Sequence, residues 1–256
     1  MKLRLFTIFL LSAVVFCGSL SAQQKKRLPT AKAKPAAQKS SEIGQTAVVV
    51  DETLAVLRKN PTLFSESVHR MSRGRLVQIM GATEADGVKF YRVTVPPKNF
   101  GWVQADAVFG KFRSGDEERF ARLVQALDGF DQIEAAIEFF KLYPNSKIRP
   151  SILLLFGDLI EEEAAKISKH ANNNLKRAAM AASAAPLHSY YLNYNRLDRY
   201  RKLGVVFLFN SAAKQFHYDG ATWKEIVTKF PASPEAAEAQ KRLDSLKVKM
   251  ETTPAK

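Results

Sequence analysis

Four histidines, one cysteine and a run of three glutamates are the residues from which reactive chemistry in this 256-residue chain would have to be built. His69, His170, His188 and His217 stand at no metal-ligand spacing, with no His-Glu-x-x-His and no histidine pair at i, i+4. His217, between Phe216 and Tyr218, reads as a structural histidine. Cys17 has no second thiol to pair with, which excludes zinc ribbons, Cys-His hydrolases and disulfide scaffolds. Glu161, Glu162 and Glu163 are consecutive, and helix neighbours point about 100° apart, so they do not converge as a carboxylate pair and read as a solvated face. There is no Gly-x-Ser-x-Gly elbow and no phosphate-cradling glycine loop. The expectation is therefore a protein that is not an enzyme and has no cofactor and no metal. Were there an acid catalyst, Glu138, Asp158 or Glu161 would supply it.

Residues suited to holding a ligand are better represented. Phe64, Tyr91, Phe100 and Trp102 form one aromatic set. Tyr190, Tyr191, Tyr194 and Tyr200, read as crowding one helix with Arg196, Arg199, Arg201 and Lys202, form another. Tyr and Arg together are the composition of partner-binding surfaces, and ring faces give large contact area at low entropic cost. The ligand-binding candidates are Phe64, Tyr91, Phe100, Trp102, Tyr190, Tyr194 and Arg201. Each aromatic has an alternative role. Trp102, following Gly101 in a strand, also suits a core, Tyr91 is open between core and platform, and the tyrosines also suit a helical core with hydroxyls at its rim.

Two kinds of element must position these residues. From residue 47 onward, apolar runs at 48–50, 55–57, 76–80, 90–95 and 102–103 alternate with turns at Asn60-Pro61, Arg73-Gly74, Asp86-Gly87, Pro96-Pro97 and Asn99. Five or so short strands over 47–113 predict a small closed barrel. Within 90–95, period 2 sets Tyr91, Val93 and Val95 on one face and Phe90, Arg92 and Thr94 on the other. The order Leu54-Ala55-Val56-Leu57-Arg58, Asn60-Pro61, Ser72-Arg73-Gly74-Arg75-Leu76-Val77-Gln78-Ile79, Phe90-Tyr91-Arg92-Val93 and Gly101-Trp102-Val103-Gln104 resembles the bacterial SH3 family over about a quarter of the chain. Phe90 stands where that family usually has tryptophan, and Lys59-Asn60 replace a small residue and glycine before Pro61. What the resemblance implies is a non-catalytic module that binds cell-wall peptides or protein segments.

Past residue 114 the period becomes 3.6. Phe120, Leu123, Val124 and Leu127, then Ile133, Ile137 and Phe140, then Ile152, Leu155, Phe156, Leu159 and Ile160 mark one apolar stripe per helix. Pro150 suits a first helical turn, and Gly157 inside the third helix predicts a close helix crossing. Phe139-Phe140-Lys141-Leu142-Tyr143-Pro144-Asn145-Ser146 and Ile226-Val227-Thr228-Lys229-Phe230-Pro231-Ala232-Ser233 repeat a helix stop and restart, with the serine placed to cap the next helix. These segments resemble tetratricopeptide-type helical repeats of bacterial envelope proteins, although the two copies lie 87 residues apart rather than at a period of about 34. Between them, 205–210 and 214–218 predict a β-hairpin, and Asp219-Gly220 turns into a helix holding Trp223. The fold class expected is α+β in two domains, 47–113 and 114–250.

The flanks carry the charge. Lys2 and Arg4, an apolar run at 5–16 and small residues up to Ala22 predict a secretory signal peptide over 1–22, whose removal takes Cys17 with it and leaves no transmembrane segment. Residues 23–46 hold six cations against Glu42 and predict a disordered basic linker; 251–256 predict a disordered tail. Overall, 39 basic against 25 acidic residues give +14, yet 47–246 holds 28 basic and 23 acidic. A near-balanced folded part predicts no nucleic-acid partner, only weak attraction of the linker to anionic envelope polymers. Together these expectations describe an exported periplasmic or cell-envelope adapter whose partner is a cell-wall (peptidoglycan) peptide or an envelope protein. The alternatives are an unrecognised cell-wall hydrolase and an accessory subunit of an outer-envelope assembly.

Overall fold

The computed structural model describes residues 41–251 apart from Lys98. The predicted signal peptide, nearly all of the basic linker and the tail beyond Glu251 lie outside the described residues. Seven strands, β1 (Thr46–Val49), β2 (Val56–Arg58), β3 (Ser67–Arg70), β4 (Leu76–Ala85), β5 (Val88–Val95), β6 (Asn99–Gln104) and β7 (Val108–Phe109), form one curled antiparallel sheet in the order β3-β2-β6-β5-β4-β1-β7. Alternation along the strands sends Ala47, Val49, Leu57, Val77, Ile79, Tyr91, Val93, Val95 and Val103 into the concave side, where they bury one another. Asp86 and Gly87, both at positive φ (53° and 70°), make the tight β4–β5 turn that the Asp-Gly pair predicts. Gly101 has a steric reason. A Cβ there would sit 2.7 Å from the Arg58 carbonyl oxygen and 2.9 Å from Leu57 Cγ, because β2 crosses β6 closely. The strands β3 and β7, short and without an alternating signal of their own, have no counterpart among the apolar runs of the sequence.

Among the described residues eight α-helices follow: α1 (Asp116–Ala126), α2 (Gly129–Leu142), α3 (Arg149–Asn174), α4 (Arg177–Ala182), α5 (Leu187–Leu192), α6 (Asp198–Lys202), α7 (Ala221–Lys229) and α8 (Glu235–Glu251). The hairpin β8 (Phe207–Asn210) with β9 (Gln215–Tyr218) lies where the sequence predicts it. The long α3 is the spine, packing on α2, α7, α8 and β9. Its Gly157 leaves room for α7, since a Cβ would fall 2.3 Å from Trp223 Nε1. Three ion pairs fasten later segments to α3: Arg149 to Glu225, Asp158 to Arg242, both at 2.9 Å, and Glu161 to Lys249 at 2.7 Å. Of the two predicted capping serines, Ser146 accepts from Ile148 N at 2.9 Å in the turn before α3, whereas Ser233 Oγ is buried without a hydrogen bond among the described residues.

The sheet and the first helices share a core. Val48, Val50 and Phe109 belong to the same buried cluster as Phe120, Phe139 and Tyr143, with Phe109 and Phe120 4.9 Å apart between ring centroids. Arg73, its side chain 7% exposed, donates to the Val50 carbonyl at 2.9 Å and reaches Glu134 of α2 at 3.1 Å. Arg113 ties Asp116 of α1 to the carbonyls of Ala105 and Val108. The outer surface of β1 and β7 is therefore covered.

Candidate functional site

The outer surface of β5 and β6 carries no such cover around Arg92, Thr94 and Phe100, although Phe90, on the same face of β5, is fully buried. Because Tyr91, Val93 and Val95 point inward, Arg92 and Thr94 point outward, and the β5–β6 register sets Arg92 opposite Trp102 and Thr94 opposite Phe100. On its other side Trp102 pairs with Arg58 of β2. The half-buried indole thus stands between two guanidinium-bearing positions, with Phe100, 67% exposed, two residues along the strand. Met80 and Leu76 of β4 extend the apolar surface. Neither β5 nor β6 places a carboxylate at an outward position, and Arg58 and Arg92 enter no ion pair among the described residues. Arg58 Nη1 donates to Ser65 O at 2.8 Å, while its Nε is buried without a partner there.

Phe64, 90% exposed, stands on the loop joining β2 to β3, which is tied to the β4–β5 turn. The loop is held at both ends. Lys59 pairs with Glu66 at 2.8 Å, Asn60 N donates to Ser65 Oγ at 2.9 Å, and Asp86 accepts from Thr62 Oγ1 at 2.5 Å and Leu63 N at 2.8 Å. Those two bonds lower the Asp86 carboxyl below its usual range. A rigid loop, aromatic rings and unopposed guanidiniums are the parts of a surface that holds an extended, partly acidic segment by stacking and charge.

Tyr91 does not belong to it. Its ring lies in the concave core, and its hydroxyl donates to Glu42 Oε1 at 2.7 Å. Burial, reinforced by that bond, pushes the phenol far above its ordinary range. Burial works against the Glu42 charge, but hydrogen bonds from Lys89 and Tyr91 outweigh it and hold the carboxyl below 4.5. Glu42 sits within the stretch read as disordered linker, so the ordered chain begins earlier than its lysines suggest.

The second aromatic set is divided among α5, the short turn Asn195–Leu197 and α6 rather than sharing one helix. Three of its tyrosines are core residues with satisfied hydroxyls: Tyr191 donates to Asn172 Oδ1 at 2.6 Å, Tyr194 meets His170 Nδ1, and Tyr200 donates to Glu163 Oε2 at 2.5 Å. Tyr190 remains half-buried at the surface. Arg201 is spent on the chain itself, donating to the Leu192 carbonyl and to Asp198, and fixes the α5–α6 connection.

The acidic run is not a solvated face. Only Glu162 faces water. Glu161 accepts from His217 Nδ1 at 2.9 Å, Lys249 Nζ at 2.7 Å and Tyr218 N at 2.8 Å, and Glu163 is buried against Tyr200, Lys166 and Arg199. These partners outweigh burial and lower both carboxyls. The rotation between neighbours was legible, but not that protein lies on both sides of α3. A cavity of about 420 Å³ adjoins the Glu161–His217 pair. Ser168, on its wall, donates to Ala164 O and accepts from Phe216 N, which commits its hydroxyl to the backbone. The other acid candidates, Glu138 and Asp158, are paired with Lys141 and Arg242.

Among the described residues, no three His, Cys, Asp or Glu side chains are grouped to hold a metal ion, and no helix is long and apolar enough to cross a membrane. Comparison of the chain with models of protein families, with curated proteins and with solved structures finds no match to any of them.

Proposed function

We propose that this is an exported envelope adapter that works by holding an extended peptide, from the cell wall or from an envelope protein, on an SH3-like sheet. The observation that carries the reading is the outer surface of β5 and β6, where Trp102 lies between Arg58 and Arg92 with the exposed Phe100 two residues along the strand, and no carboxylate stands at an outward position of either strand. The rings supply contact area and the guanidiniums favour acidic or C-terminal carboxylate groups on the segment held. The leader and basic stretch of the sequence support export and loose attraction to anionic polymers. In this reading the helical half is a second surface rather than a catalytic domain.

Co-sedimentation of the full chain with purified cell wall, and retention of envelope proteins on the immobilised chain, test it. Trp102→Ala and Arg92→Glu are each expected to weaken the interaction about tenfold or more while leaving the melting temperature unchanged. Binding that is identical in wild type and both variants removes the surface from consideration, and clearing of purified wall by the full chain replaces holding with hydrolysis.

A further inference from the structure

The helical half carries a second groove, chemically unlike the aromatic sheet surface. Two open cavities, about 620 Å³ and about 580 Å³, adjoin at Tyr194 and Asn195, which line both. Each is of the size that small-ligand sites occupy. Tyr190 and Asn193 border the first; Asn174 and Arg196 border the second. The amides are prepared in a particular way. Asn193 Nδ2 donates to Ser189 O at 2.9 Å and Asn174 Nδ2 donates to His170 O at 2.8 Å, which fixes both side chains and leaves each Oδ1 as an acceptor. Asn195 and Arg196 use no side-chain hydrogen bond or ion pair among the described residues, so donors as well as acceptors face the groove.

Charge narrows the ligand class. No carboxylate lines either cavity, and residues 164–197 contain no Asp or Glu at all, against five Lys and Arg. Leu175 and Ala185 give the first cavity an apolar floor, while amides, hydroxyls and the Arg196 guanidinium border the groove, with a half-buried tyrosine ring on which a flat C–H face can rest. From this lining we infer that the groove binds an oligosaccharide bearing carboxylates, its hydroxyls and acetamido groups meeting the asparagines, a ring face on Tyr190 and a carboxylate on Arg196. The inference is independent of the peptide site on the sheet.

The test uses the full chain with two defined probes, a hyaluronan tetrasaccharide and the uncharged N-acetylglucosamine tetramer, followed by calorimetry and ligand-observed NMR. The expected result is saturable binding of the hyaluronan probe, at least about fivefold tighter than the neutral one and weakened by salt. Asn195→Ala and Tyr190→Ala are each expected to reduce it severalfold, and Arg196→Glu to erase the preference for the charged probe. Trp102→Ala, in the sheet, leaves all of this unchanged, so failure here and failure of the peptide-binding reading are separable. Absence of saturable binding for both probes, or affinities untouched by the three groove variants in protein of wild-type melting temperature, overturns the proposal; equal affinity for the two probes overturns the assignment of an acidic ligand.

Discussion

The two ends of one sheet surface were given opposite treatments. At the β1–β7 end, Val48, Val50 and Phe109 face outward and are sealed under α1 and α2, with Arg73 and Arg113 stitching the seam. At the β5–β6 end, Phe100 and Trp102 occupy equivalent outward positions, Phe100 open to solvent and the half-buried Trp102 between Arg58 and Arg92. Strand alternation is the same in both, so what differs is whether another element arrives. The lesson is that aromatic content does not tell a core face from an exposed one; whether another element covers the row does.

The sharpest way to break the contrast is to truncate one ring at each end. Phe109→Ala is expected to cost about 3–5 kcal/mol in chemical denaturation, because it opens a cavity against Phe120. Phe100→Ala should change stability by no more than about 0.5 kcal/mol, and show its effect in wall or partner binding instead. Equal losses of stability would mean the two ends do not differ. The arginines give a smaller contrast. Arg73→Met removes a donor from a buried carbonyl and strands Glu134, costing about 1–3 kcal/mol, while Arg92→Met should leave the denaturation midpoint where it was.

Acid titration separates the ends by sign. Glu42, tied to Lys89 and Tyr91 beneath the bare end, has a lowered pKa, so its contribution is present above 4.5 and fades as pH falls further. Burial raises Glu134 at the sealed end despite Arg73, so its contribution is present below 4.5 and is lost as pH rises through the raised value. Glu42→Gln should therefore flatten the acid loss of stability seen by thermal melts below pH 4.5, and Glu134→Gln should remove a slope of opposite sign above it. The smallest effect expected is that of Asp86→Ala, which releases Thr62 and Leu63 and loosens the Phe64 loop: under the proposed peptide-binding reading, a severalfold weaker interaction with cell wall or envelope protein at constant melting temperature.

Much of the architecture could be read locally. The change of period near residue 114, the hairpin ahead of Asp219-Gly220 and the crossing at Gly157 all rest on neighbours a few positions apart, and all three are present in the fold. What escaped reading was decided by residues far away in the chain. β3 and β7 exist because β2 and β1 offer them edges. The alternation in β5 sorts Arg92 from Tyr91, yet only the β5–β6 and β2–β6 registers set Trp102 between two arginines. Glu42 was hidden by the lysines before it, and its role needs Tyr91, 49 positions later. Tyr194 was named for its ring, but the amides around it, which define the groove, carry no motif that a linear reading would single out.

The ion pairs along α3 have a kinetic consequence. Arg149, Asp158 and Glu161 meet partners 76, 84 and 88 positions further on. In the sheet, the β4 and β5 strands find each other across a two-residue turn. Loop closure over such long stretches is slow, so in refolding the sheet should gain exchange protection first, and α3 should wait, half-clothed, for the arrival of α7 and α8. During that interval the buried carboxylates and apolar stripe of α3 are open to any chaperone or neighbour that reaches them before the rest of its own chain does.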